Sequence, residues 1–270
     1  MTRLAPALRP ADFGPILRDW RHRRRMSQLD LSLESGVSAR HLSCLETGKA
    51  LPSREMILCL GRTLDMPLGE QNGALEAAGF VPVYPQSDWP DEALDPVRMQ
   101  FERLMQLHSP YPAVILDTYW RVAGTNAAGR LFVPPVQEGQ PPASLIDLYL
   151  DTPELRARIL NWDELAVAFR ARLVAEARAL GGDAQLQSYI ARLDAVSPEA
   201  RLAGPASADL PCLALKFDLG DRVLSLMSGL MQMSTPLNIA VTEIKLELFF
   251  PADAETEAFF KTMADPAPPR

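Results

Sequence analysis

Apolar residues along the first eighty positions recur at the three-to-four-residue spacing of helix faces. Phe13, Ile16, Leu17 and Trp20 form one such face over 13–26, with arginines filling much of the remaining circumference. Ser27, followed three residues on by Asp30, reads as a variant capping box that opens a second short helix ending at Gly36. Ser38 caps a third helix. In it Leu42 and Leu45 turn inward, Ala39, Arg40, Ser43 and Cys44 lie on or beside the opposite face, and Gly48 stops it. Two further helices are predicted over 53–64 and 68–78. The pattern then lapses across 81–96, a stretch rich in proline and acidic residues that reads as a linker between domains at 1–80 and 97–270.

Beyond the linker the pattern changes character. A helix over 94–107 places Val97, Phe101, Leu104 and Met105 on one face, and "YPAVILDTYWRVAGTN" reads as two strands about a tight turn at 117–119. The segment 144–202 is mostly helical. Its long helix carries Trp162, Ala166, Phe169, Leu173 and Leu180 on one stripe and ends at Gly181–Gly182, and a shorter helix follows over 184–196. Three strands are then predicted over 212–219, 222–233 and 239–250. In the last, Ile244, Leu246, Leu248 and Phe250 are expected to face a core and Glu243, Lys245 and Glu247 to face water. The middle strand is apolar at both parities, so something covers both its sides: helices, a subunit contact or a ligand cavity. The fold class expected is α+β, an all-α five-helix N-terminal domain followed by a five-stranded antiparallel sheet with a helical insert.

Composition narrows the function. With 270 residues, 47% hydrophobic and 23% charged, the chain is ordinary globular protein. No apolar run approaches the roughly 20 residues that span a bilayer, and residues 1–15 lack the apolar region of a secretory signal, so a soluble, cytoplasmic protein is expected. Cys44, Cys59 and Cys212 form no CxxC pair and have no histidines at metal-ligand spacing; they read as small buried apolar residues, with neither metal nor disulfide. The net charge of −7 is unevenly spread. Residues 1–63 hold 11 Lys and Arg against 6 Asp and Glu, leaving 16 against 28 for the rest. The basic excess, with Arg18, Arg21, Arg23, Arg24 and Arg25 within eight residues, falls where a phosphate backbone could use it.

Two short helices joined by a turn at Gly36 form the pattern of a helix-turn-helix, whose second helix enters the major groove. Ser38, Arg40 and Ser43 are donors suited to base edges, and Gln28 opens the preceding helix where a phosphate can approach its amides. The stretch "RHRRRMSQLDLSLESGVSARHLSCLETGKALPS" closely resembles the Xre, or phage-repressor-like, family at Arg18, Arg21, Ser27, Gln28, Leu29, Gly36, Val37, Ser38, Leu42, Leu45, Glu46, Gly48, Pro52 and Ser53. It departs at Leu31–Ser32, where an alanine is common, and at Cys44, often polar. The resemblance implies a double-stranded DNA operator as partner and Gln28, Ser38, Ala39, Arg40, Ser43, Cys44 and Lys49 as the contacting residues.

Strand-strand-helices-strand-strand-strand is the element order of a PAS-like sensor. "DPVRMQFERLMQLHSPYPAVILDTYWRVAGTNAAGRLF" and "LRARILNWDELAVAFRARLVAEA" resemble the MmyB-like ligand-binding domain, a PAS-like module, at Pro112, Asp117, Trp120, Asn126, Ala127, Phe132, Leu155, Arg156 and Trp162. That resemblance implies a homodimeric transcription regulator that needs no resident cofactor and binds a small apolar ligand such as a fatty acid or acyl group. The expected lining is Val114, Leu116, Val122, Phe132, Trp162, Phe169, Leu226, Met231, Ile244 and Leu246. The competing readings are a domain that only dimerises, and an enzyme using Asp117, His108 and Asn126 near the sheet.

Overall fold

The computed structural model describes residues 13–87, 89, 91–133, 144–202, 212–234 and 236–264. The ends of the chain assigned to the two domains, 1–12 and 265–270, lie outside the described residues. Two compact units divide the chain: one holds residues up to 86 with the short segments 176–183 and 237–239, the other the remainder.

The first unit contains α1 (Phe13–Arg23), α2 (Gln28–Ser35), α3 (Ala39–Glu46), α4 (Arg54–Thr63) and α5 (Leu68–Ala77). Local chemistry sets their ends. The Asp30 backbone N–H donates to the Ser27 hydroxyl and the Ser27 N–H donates to the Asp30 carboxylate, so the capping box is reciprocal. Gly36, with φ of 73°, closes α2 in the left-handed conformation that favours glycine. Ser38 and Ser53 cap α3 and α4 through their hydroxyls. The apolar faces then meet in one core that includes Leu17, Trp20, Leu31, Leu42, Leu45 and Leu60, each contributing about 1.5–3 kcal/mol by leaving water. Gly14 allows α1 to run against α3, because a Cβ there would lie 2.6 Å from the Leu45 carbonyl oxygen.

The rest of the chain forms α6 (Asp95–Leu107), β1 (Ala113–Leu116), β2 (Val122–Thr125), α7 (Leu145–Asp151), α8 (Pro153–Arg156), α9 (Trp162–Ala179) and α10 (Ala184–Val196). It continues with α11 (Glu199–Leu202), β3 (Leu215–Asp218), β4 (Val223–Met231), α12 (Ile239–Glu243), β5 (Lys245–Pro251) and α13 (Ala254–Ala264). The five strands form one antiparallel sheet in the order β2-β1-β5-β4-β3, so the last strand in sequence is the central one. Register sorts its side chains. Val114 lies opposite Glu247 and Ser228 opposite Phe249 on one face, while Leu246 is flanked by Ile115 and Met231 on the other. α6 covers the second face with Phe101 and Met105, which pack on Ala113, Ile115, Ile244 and Leu246. The helices between β2 and β3 are tied together by ion pairs. Arg170 on α9 binds Asp194 on α10, and Arg192 on α10 reaches Asp147 and Asp151 on α7.

Three expectations are corrected. The alternating charges of β5 do not face water: Lys245 and Glu247 are 3% and 6% exposed, because a central strand is covered on both faces and a charge can be buried when it is paired. Residues 239–243, whose β-branched character reads as strand, form a helical turn that packs Ala240 and Val241 on Leu94. Cys212 is exposed rather than buried, whereas Cys44 and Cys59 are half-buried. α13, which no strong periodicity announces, is held to the sheet by the Thr256 hydroxyl, which accepts from the Ser225 N–H at 2.9 Å, and by the fully buried Phe260.

Candidate functional site

Two surfaces carry chemistry. In the first unit, α3 turns Leu42 and Leu45 into the core at 0% and 1% exposure, which leaves Arg40 and Lys49 exposed and Ala39, Ser43 and Cys44 half-buried beside them. The Ser38 hydroxyl accepts from the His41 N–H, so it caps the helix whose first turn it also borders. Gln28 does not project alone: its side-chain amide donates to Glu46 at 2.9 Å. Glu46 is also gripped by Arg21, whose Nε and Nη2 donate to its two oxygens at 2.6 and 3.0 Å while Nη1 donates to the Met26 carbonyl at 2.8 Å. These three residues lock α1, the start of α2 and the end of α3 together. Burial of the Glu46 carboxylate opposes its ionisation, but the hydrogen bonds from Arg21 and Gln28 and the arginine's charge outweigh it and hold Glu46 below the ordinary glutamate value of 4.5. The arginine cluster is therefore divided in use. Arg21 is buried in this lock, and Arg24 donates to the carbonyls of Leu64 and Asp65, a structural brace rather than a surface charge.

In the second unit a cavity of about 300 Å³ opens on the face of the sheet away from α6. Its floor is Val114, Leu215, Leu226, Ser228, Glu247 and Phe249. Its walls are Leu145 and Tyr149 from α7, Ile159, and Trp162, Leu165, Ala168, Phe169 and Arg172 from α9, with Trp120, Phe132, Val133 and Leu213 closing it. Aromatic contacts hold the lining in place: Phe132 meets Phe217 and Phe249 at 5.0 and 6.2 Å between ring centroids, and Trp120 meets Phe169 edge-on at 4.7 Å. Tyr149 donates its hydroxyl to the Phe132 carbonyl at 3.2 Å, and burial pushes its pKa far above the ordinary tyrosine value, so it stays neutral.

A charged pair interrupts the apolar lining. Arg172 donates to Glu247 at 3.2 Å, and its guanidinium lies 4.1 Å from the centre of the Trp120 ring. The Lys245 ammonium lies 4.3 Å from the same ring centre. Trp120 itself has a φ of 62°, unusual for a large side chain, and is fixed there by Asp117, whose Oδ1 accepts from the N–H groups of Tyr119 and Arg121 at 2.8 Å each. Apolar walls with a few convergent polar groups are the usual chemistry of a small-molecule pocket, and this volume falls at the lower end of the roughly 300–1,000 Å³ such pockets occupy.

A family model described as the MmyB-like transcription regulator ligand binding domain matches residues 97–263, more than half of the chain. The chain belongs to this family. No curated protein matches it. The match begins beyond the five N-terminal helices, so their resemblance to Xre domains stands on their own residues. Among the described residues no helix is long and apolar enough to cross a membrane, and no group of His, Cys, Asp and Glu is placed to hold a metal ion.

Within the MmyB-like domain, the cavity gathers five of the expected lining residues: Val114, Phe132, Trp162, Phe169 and Leu226. The other five lie elsewhere. Met231, Ile244 and Leu246 point to the α6 side of the sheet, and Leu116 and Val122 are buried without reaching the lining. The reason is parity. The obvious apolar face of β5 serves the packing of α6, and the face that carries Glu247 and Phe249 serves the cavity. Trp120, Tyr149, Arg172 and Glu247 were not foreseen; the signal available was that Glu247 shares its strand face with Phe249, an aromatic that needs cover. The three side chains weighed for catalysis are all bound to backbone. Asp117 shapes the turn before Trp120, His108 Nε2 lies 2.8 Å from the Phe249 carbonyl, and Asn126 bridges the Ala113 and Gly129 N–H groups to the Tyr111 carbonyl.

Proposed function

We propose that this chain is a sequence-specific, homodimeric DNA-binding transcription regulator whose MmyB-like domain binds a small apolar molecule of the fatty-acid or acyl class. The observation that carries the reading is the cavity between α9 and the sheet, apolar over most of its wall and carrying one Arg172–Glu247 pair, in a chain that belongs to a family of regulator ligand-binding domains. The DNA-reading half is supported by the capped α2–turn–α3 pair, its exposed Arg40 and Lys49, and the basic excess of residues 1–63. One recognition helix reads few base pairs, so a pair of copies on half-sites about 34 Å apart supplies the affinity and specificity an operator needs. Occupancy of the cavity regulates by favouring one arrangement of the dimer over another, which requires unequal affinity for the two. Organic extraction of the protein purified from cells, followed by mass spectrometry, tests the ligand. The expected result is one hydrocarbon-chain species per chain; a protein that yields none, and whose melting temperature no acyl additive shifts, rejects the reading.

A further inference from the structure

The two full charges that line the cavity face each other. Arg172 and Glu247 are the lysine-, arginine- or acid-type residues of its wall, and they are paired at 3.2 Å with the carboxylate buried. Lys245, two residues before Glu247 on β5, is not part of the lining; its ammonium rests on the ring of Trp120, which is. A ligand whose polar end reaches Arg172 therefore meets Glu247 at the same point.

The geometry points to Glu247 as a specificity-determining residue that selects ligands with an uncharged polar end, such as an acyl ester, amide or alcohol, over ionised fatty acids. This inference rests on the proposed function, since it presumes an acyl-type ligand in the cavity. An arriving carboxylate must either sit beside the Glu247 carboxylate in a partly desolvated site or displace it from Arg172, leaving Glu247 buried without its partner; both are unfavourable. A neutral carbonyl or hydroxyl accepts or donates a hydrogen bond at the Arg172–Glu247 pair, or at the hydroxyl of Ser228 on the same sheet face, without disturbing the charge balance. Apolar walls set affinity for the chain of the ligand, and the pair sets the nature of its end.

The test uses the full chain and matched medium-chain probes: methyl decanoate, decanamide and decanol against decanoate, titrated at mildly alkaline pH and followed by calorimetry. Each neutral probe is expected to bind at least about tenfold more tightly than decanoate, a difference of about 1.4 kcal/mol. In Glu247→Gln, which keeps the size of the side chain and leaves Arg172 as the charge of the wall, the order reverses and decanoate binds best. Circular dichroism confirms that the variant is folded, and Glu247→Asp, which keeps the charge, retains the preference of the parent. Decanoate binding as tightly as the neutral probes to the parent, or an unchanged order in Glu247→Gln, overturns the inference while leaving the ligand-binding reading intact. If none of the four probes binds, the acyl reading itself falls and this inference with it.

Discussion

At the scale of residues, the account turns on two charged pairs with opposite tasks. Arg21 and Glu46, with side chains 9% and 4% exposed, stabilise the packing of α1 on α3, and breaking such a buried pair by Glu46→Ala is expected to cost about 3–5 kcal/mol, measured by urea denaturation of the first unit's helices. The same group sets a pH dependence. Because the folded-state pKa of Glu46 is depressed, its contribution is fully present above the ordinary value of 4.5 and is lost as pH falls through the lower folded value. Protection factors of α3 amides, each corrected for the intrinsic exchange rate at that pH, should therefore fall on acidification in the parent and much less in Glu46→Gln. Arg40, exposed on α3, answers to a different measurement. Arg40→Ala is expected to relax base preference and cost about 1–3 kcal/mol, while Gln28→Ala weakens binding evenly across sequences; selection from random DNA separates the two, and an unchanged motif at unchanged strength in Arg40→Ala contradicts the docking of α3.

At the scale of elements, the legible features were those decided by local rules. The Ser27–Asp30 box, the Ser38 and Ser53 caps and the left-handed Gly36 act within a few residues, and the helices they bound lie where the pattern places them. What the pattern could not carry was tertiary. Strict alternation in β5 shows that its faces differ, but not that α6 covers the apolar one and that the charged one lines a cavity, since burying Glu247 depends on Arg172, distant in sequence. Met231, Ile244 and Leu246, expected in the lining, pack on the α6 side for that reason, and Ile239–Glu243 became a helix because the contacts of Ala240 and Val241 with Leu94 override strand preference. Close packing between elements gives a further test. Gly14→Ala forces a methyl group against the Leu45 carbonyl, so α1 must shift from α3 at a cost of about 1–3 kcal/mol, read as a lower denaturation midpoint; no change would contradict the close crossing.

At the scale of the whole molecule, the chain combines a helical unit with the features of a DNA reader and an MmyB-like unit whose sheet and α9 enclose an apolar cavity. The proposed function requires that filling the cavity change operator affinity, and linkage then requires that the operator change ligand affinity by the same factor. The decisive measurement is the operator affinity of the full chain, at fixed salt, with the cavity empty and with it saturated by a medium-chain acyl ligand whose binding is monitored in the same sample. The account predicts a change of about fivefold or more, within the usual range of allosteric coupling, and a higher ligand concentration needed to produce it when Phe169→Trp narrows the cavity. Identical operator affinity in the two states, with the ligand demonstrably bound, would contradict it.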